Sequence, residues 1–426
     1  MRILFLAHRL PYPPTKGDKI RSFWELRHLA AHHEVDLFCF YDDAEDENSL
    51  QAVREFCTNL YAEKISWTRS RFQALVALLR GDAFTPAYFY SRTMSSQVKQ
   101  ALRSRSYDLI FVFCSSMVQY VPRGVLIPRI LDMVDVDSDK WAQYESAGQT
   151  AVPWVWRVEA QRLAEVENQA VEEFSATLVC TEAEAAVLQR NRPSSKVFVL
   201  ENELNTDHFD REKVEVPTDV ASWQPYIIFT GTMDYLPNVD AVTFFCAEVF
   251  PRLKKTVPNV QFVIAGRNPV PAVRRLAEDS SVHVTGSTPD MRPYLKGALV
   301  AVAPLRIARG VQNKILEALA MGLPVAASRK AASALPSVLQ SHLLVEDDPQ
   351  RLANALAQLC LQPAKQFQTE ARLMLAERLS HRFLSARFDA IISAALHGEV
   401  DKLPSTLVDI NAAGVTLQAS LLDRGR

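Results

Sequence analysis

Residues 296–328 read KGALVAVAPLRIARGVQNKILEALAMGLPVAAS. Ala298 to Ala303 is a small apolar run of strand length, ended by Pro304. From Gln312 to Met321, apolar Ile315, Leu316, Leu319 and Ala320 recur at helical spacing. Gly322 stands where a helix C-cap glycine belongs, Pro324 prevents continuation, and Val325 opens a second apolar run. The stretch is therefore a βαβ crossover, and its two strands are expected to be parallel. Ligands bind such units at the carboxyl ends of the strands, where the helix starts. At that point the chain offers Arg306, Arg309, Gly310, Val311, Asn313 and Lys314. Three cations, exposed backbone N–H groups and the positive end of a helix dipole favour an anion there, above all a phosphate. Glu317, five residues beyond Gln312, is a carboxylate able to accept hydrogen bonds from sugar hydroxyls. A phosphate site beside a hydroxyl acceptor points to a nucleotide.

The chain around this unit has 426 residues, too many for one ordinary core and enough for two domains of about 200 residues. A hydrophobic share of 48% and a charged share of 23% are those of a globular protein. The formal net charge of −2 gives no basic field that recommends nucleic acid as a partner. Six scattered cysteines with no C-x-x-C indicate neither a disulfide framework nor a zinc site. The N-terminal apolar core, Ile3 to Ala7, is too short for a signal segment and reads as the first buried strand. No run approaches the ~18–20 apolar residues that span a bilayer. A cytoplasmic protein is expected, with room for attachment at the inner face of a membrane.

Strand-like and helix-like segments alternate along both halves. Strands are expected at Ile3–Ala7, Val35–Tyr41, Leu109–Phe113, Arg129–Met133, Thr177–Cys180 and Lys196–Leu200. A second series follows at Tyr226–Phe229, Val260–Ala265, Val282–Val284, Ala298–Ala303 and Pro324–Ala327. Helices are expected between them, including Ile20–His32, Pro153–Phe174, Val239–Thr256 and, last, Gln366–Leu396. This rhythm predicts an α/β protein with two doubly wound, Rossmann-like domains. Arg211–Gln224, polar with Pro217, reads as linker.

The glycines exclude several chemistries. Among 13 glycines no two are separated by a single residue, so G-x-G-x-x-G does not occur and an ordinary nicotinamide oxidoreductase is disfavoured. The P-loop, G-x-S-x-G and H-E-x-x-H patterns are absent as well. Gly231, Gly266 and Gly286 each follow a predicted strand and are expected to line one cleft with Gly310; Arg267 joins them. In the first half, Gly17 opens the first helix, where its backbone permits close ligand approach, and Asp18 follows it. Asp135 and Asp137 follow another strand, a position suited to orienting a hydroxyl or stabilising positive charge. Their D-x-D-x-D spacing also raises cation binding, but the glycine and terminal glutamate of an EF-hand loop are missing. Between Trp67 and Arg105 lie seven Lys/Arg and one Asp interleaved with aromatics, a composition suited to an anionic lipid surface or a lipid-linked acceptor.

Glu317 and the turn Met321-Gly322-Leu323-Pro324-Val325 resemble the donor-nucleotide site of family 4 glycosyltransferases, retaining enzymes of the GT-B architecture. That family's pattern has a first Glu eight residues before the second; here position 309 is Arg309. The phrases PPTKGDKIRSFWELRHL and DMVDVDSDKW resemble a bacterial subgroup tied to exopolysaccharide and PEP-CTERM/exosortase loci. The resemblance implies two Rossmann-like domains facing across a cleft: an acceptor-side domain over 1–205 and a donor domain over 206–365. A helix over 366–397 would cross back to the first domain, with a tail over 398–426. It implies a nucleotide-sugar donor, a glycan or lipid-linked acceptor, and no cofactor or essential metal. Lys314 and the Gly310 helix start would hold the leaving diphosphate, Glu317 the ribose, and Gly17, Asp18, Asp135 and Asp137 would meet the acceptor. Two rivals share the architecture: a nucleotide-sugar 2-epimerase, and a non-catalytic sugar-nucleotide sensor that has lost its first Glu.

Overall fold

The computed structural model describes residues 1–14, 17–42, 44–146, 152–191, 193–308, 311–361 and 365–403. The chain divides into two compact units, Met1–Asn202 with Ser385–Arg426, and Glu203–Leu384.

The first unit is built on seven parallel strands: β1 (Arg2–Ala7), β2 (Glu34–Tyr41), β3 (Asn59–Lys64), β4 (Leu109–Phe113), β5 (Arg129–Val134), β6 (Ala176–Val179) and β7 (Val197–Val199). Their order is β3-β2-β1-β4-β5-β6-β7, so the sheet reverses direction of growth between β1 and β4. β1 and β4 are buried almost throughout, as near-continuous apolar strands must be when helices cover both faces of a parallel sheet. Its helices include α1 (Gly17–Ala30), α2 (Trp67–Arg80) and α3 (Pro153–Glu173).

The second unit holds six parallel strands: β8 (Tyr226–Thr230), β9 (Gln261–Ala265), β10 (Val282–Gly286), β11 (Val300–Ala303), β12 (Val325–Ala327) and β13 (Leu343–Val345). The order β10-β9-β8-β11-β12-β13 places its reversal between β8 and β11. Helix α4 (Leu236–Phe244) follows β8 and α5 (Asn313–Ala320) follows β11, so both helix starts lie at that reversal. α4 runs on through a π-helical stretch, Phe245–Val249, into Phe250–Thr256. Pro251 has no N–H and crowds the preceding turn, and the widened stretch sits just before it.

The expected strands all form, but two more appear. β3 and β13 are edge strands whose residues stay partly exposed, so they lack the apolar run that marks their neighbours. The expected linker Arg211–Gln224 belongs to the second unit instead, with Val214 and Val220 buried in its core. The long C-terminal helix is two helices, Lys365–Arg378 and α6 (His381–His397). From Ser385 onward α6 is part of the first unit. There Phe388 packs on Phe111 of β4 and Trp24 of α1, Arg387 Nε donates to the Val199 carbonyl at 2.8 Å, and His28 Nε2 meets Asp389 at 2.7 Å. Among the described residues no helix is long and apolar enough to cross a membrane.

Candidate functional site

In the second unit the reversal point is closely packed backbone. Gly231 directly follows β8 and Gly266 directly follows β9, and the Gly231 N–H donates to Ala265 O at 3.0 Å. A Cβ on Gly266 would stand 1.7 Å from the Gly231 carbonyl oxygen, so no side chain fits. A Cβ on Gly231 would stand 2.7 Å from Asn238 Nδ2. Both glycines also hold positive φ, 155° and 150°, which L side chains rarely adopt. The two strand ends are thereby drawn together, and Asn238 is fixed above them by its Nδ2 donating to Thr232 O at 2.9 Å.

Lys314 reaches this point from the first turn of α5. Its Nζ donates to Asn238 Oδ1 at 2.5 Å and lies 4.4 Å from the centre of the Phe229 ring. Burial makes the ammonium costly, only partly relieved by Glu317 one turn on, and the amine is pulled down to about 7. The same burial pushes the Glu317 carboxyl up, against the pull of Lys314. The Gln312 side chain makes no capping hydrogen bond to the first turn of α5, which Asn313 and Lys314 open. A buried amine, a helix start and a carboxylate one turn later occupy the switch point of the sheet, where a phosphate and a hydroxyl-bearing group fit.

The remaining candidates are distributed unevenly. Arg306 is engaged by Asp240 of α4: its Nε donates at 2.9 Å, its Nη2 meets the other carboxylate oxygen, and its guanidinium lies 4.9 Å from the Phe244 ring centre. This cation is thus half neutralised within its own unit. Arg267 follows Gly266, and its carbonyl accepts from the Met233 N–H at 2.8 Å. Gly286 ends β10 with φ 71°, in a conformation that suits glycine. Val311 packs on the core and Asn313 opens α5. Arg309 and Gly310 lie outside the described residues.

In the first unit, Gly17 opens α1 and is exposed, while Asp18 faces back toward the end of β1. Asp18 Oδ2 accepts from Arg9 Nη1 at 3.0 Å and lies 3.6 Å from His8 Nε2. His8, which the sequence reading did not single out, lies against Phe113 and edge-on to Phe89. Burial alone would lower its pKa, but the Cys114 sulfur and the Asp18 carboxylate outweigh it and hold the ring at about 9. Those cations, despite burial, hold Asp18 far below the usual carboxylate range. His8 Nδ1 is buried with no hydrogen-bond partner among the described residues. The available signal was position alone: His8 directly follows the first strand.

Strain marks the same end of the sheet. Cys114 after β4 and Val134 at the end of β5 have φ of 80° and 65°, costly for side-chain-bearing residues and frequent near functional sites. Asp135 follows, and Cys180 Sγ donates to its Oδ1 at 3.1 Å. Asp137 opens the next helix 3.6 Å from Lys140 Nζ, and Asp139 accepts from Gln143 at 2.9 Å. Among the described residues no three His, Cys, Asp or Glu side chains converge as metal ligands do. Beneath lies a buried network: Arg21 of α1 donates to Asp132 of β5 at 2.5 Å, to Leu200 O at 2.6 Å and to Asn202 at 3.1 Å. It holds α1 to β5, whose end carries Asp135, and to the segment that follows β7.

Comparison with known proteins adds to this geometry. Residues 224–362 match the family described as glycosyl transferases group 1. An uncharacterized 44.6 kDa protein in the cps region of Klebsiella pneumoniae is 20% identical over 345 residues, covering 75% of this chain and 80% of that one. Sucrose-phosphate synthase from Thermosynechococcus elongatus superposes with a TM-score of 0.67 at 15% identity, over 93% of this chain and 100% of that one. HepE of Anabaena in complex with UDP-glucose does so with a TM-score of 0.60 at 12% identity, over 92% and 100%. Two Rossmann-like parallel sheets in this order give the chain the GT-B fold, with a glycosyl transferases group 1 match across residues 224–362 of its second unit.

Proposed function

We propose that this protein is a glycosyltransferase that moves a sugar from a nucleoside-diphosphate sugar to a glycan or lipid-linked acceptor during synthesis of a cell-surface polysaccharide. The observation that carries the reading is Lys314 in the first turn of α5, at the β8/β11 switch point, with Glu317 one turn away. The cps-region relative and the nucleotide-sugar complex of HepE support it.

In this reading Lys314 and the first N–H groups of α5 receive the diphosphate. An arriving phosphate favours the ammonium, so the amine charges as the ligand binds and then stabilises the charge that develops on the leaving group. Asn238 keeps the amine aimed. Glu317 accepts from the ribose hydroxyls. The glycine pair Gly231 and Gly266 leaves no side chain between the ligand and the strand ends. The sugar is transferred with retention, the departing phosphate helping to take the acceptor proton, without a cofactor or an essential metal. Asp135 and Asp18, and with them His8, belong to the acceptor side.

The test is equilibrium binding of UDP and its sugar conjugates, with GDP, ADP and CMP as controls, to wild type, Glu317→Ala and Lys314→Ala. Each substitution removes a charge-assisted contact and is expected to weaken binding by about 1–3 kcal/mol. Unchanged affinity in both variants refutes the site. Product formation that needs an added acceptor separates transfer from epimerisation, and binding without turnover of any donor identifies a sensor.

A further inference from the structure

Helix α2 is amphipathic the wrong way round. Its buried side carries Ser70 and Ala77, seven residues apart. Phe72, Leu75 and Leu79, spaced i, i+3 and i+7, share the opposite side and are 67%, 53% and 77% exposed. On a helix packed only against its own domain, such residues would face inward. Arginines border this apolar stripe along both margins: Arg71 on one, Arg69 and Arg80 on the other, all exposed. At the helix start Trp67, 54% exposed, lies under the Arg71 guanidinium at 4.5 Å. Beyond α2 the exposed Arg92, Lys99 and Arg103 add positive charge, and Asp82 is the one acidic residue between positions 67 and 105.

We infer that α2 lies in the surface of an anionic lipid bilayer, its Phe72–Leu75–Leu79 stripe among the acyl chains and its arginines at the headgroups. The charge pattern selects this occupant. A second copy of the chain placed symmetrically on the stripe would bring like-charged arginine margins together, whereas a layer of anionic headgroups neutralises them. Long arginine side chains lie along apolar surface while keeping their charge at the interface, and tryptophan prefers that same depth. The inference is independent of the donor-site reading, and it supplies a reason for an acceptor that is held in a membrane.

The experiment is flotation of the full chain with vesicles of phosphatidylcholine alone and of phosphatidylcholine mixed with phosphatidylglycerol. Wild type is expected to float with the anionic vesicles only and to be released by salt. The triple variant Phe72→Ser, Leu75→Ser, Leu79→Ser is expected to lose about ten-fold or more of this binding, since the apolar contribution is removed. Its melting temperature should match wild type, because the substituted side chains are exposed. A second variant, Arg69→Gln, Arg71→Gln, Arg80→Gln, should float less and lose its dependence on salt. Equal flotation with both lipid mixtures, or none with either, overturns the inference. So does a wild-type dimer that the serine variant converts to monomer. Nucleotide binding measured on the same variants keeps failure here distinct from failure of the donor site.

Discussion

Replacing Lys314 by Met should stabilise the protein while removing its nucleotide affinity. The amine falls from 10.5 to about 7 in the folded chain. At about 1.4 kcal/mol per pKa unit, keeping it charged below pH 7 costs up to about 5 kcal/mol. Against this stand the Asn238 hydrogen bond and the Phe229 ring contact, worth about 2–3 kcal/mol, which methionine would lack. A net gain of about 2 kcal/mol for Lys314→Met follows, or roughly 4–8 °C in melting temperature for a unit of this size. The sign of the pH dependence is fixed by proton counting. Between pH 7 and 10.5 the unfolded chain holds more protons at this position than the folded one, so wild-type stability rises with pH there. The advantage of the variant is therefore largest at pH 6, shrinks as pH rises above 7 and reverses before pH 10.5. Differential scanning calorimetry at pH 6 and at pH 9.5, with and without UDP, reads both effects. Wild type should gain melting temperature from UDP at pH 6, and the variant should gain little. A variant that is less stable at pH 6 and still responds to UDP refutes the idea that stability is spent here on a phosphate.

Gly266→Ala places a methyl group 1.7 Å from the Gly231 carbonyl oxygen, and soluble expression with a cooperative melt near that of wild type would contradict the close approach. Arg21→Met leaves Asp132, which is fully buried, without its cation, and should cost about 3–5 kcal/mol in urea unfolding, with Arg21→Met/Asp132→Leu recovering much of the loss. His8 holds its proton up to about 9 in the folded chain against 6.5 in the unfolded one, so its contribution is complete below pH 6.5 and lost as pH rises through 9. Wild type should therefore lose more stability over that interval than Asp18→Asn, and parallel pH–stability curves would show the pair to be unimportant.

The sequence was most readable where burial is two-sided. Strands such as Leu109–Phe113 are apolar without interruption because helices cover both faces, and the eye finds them at once. It failed at β3 and β13, where one edge is open and the burial contrast disappears. Gly231, Gly266 and Lys314 were legible because strand ends followed by glycine or a helix start are local patterns. The engagement of Arg306 by Asp240 was not, since the partners lie 66 positions apart and no local rule joins them. His8 was hidden for a similar reason: its neighbours Asp18, Phe89 and the pair Phe113–Cys114 come from three separate segments. The polar stretch before β8 looked like a linker because its two buried valines, Val214 and Val220, are too few to give a period.

The path of α6 bears on the order in which the molecule is made. Phe388 sits against Phe111 and Trp24, and Arg387 closes on the end of β7, yet these residues leave the ribosome after the whole of Glu203–Leu384. The unit that begins first during synthesis is thus completed last. Its β4 and α1 surfaces wait, apolar and uncovered, while the other unit is being translated, so nascent chains stalled before α6 should be the ones that chaperones hold.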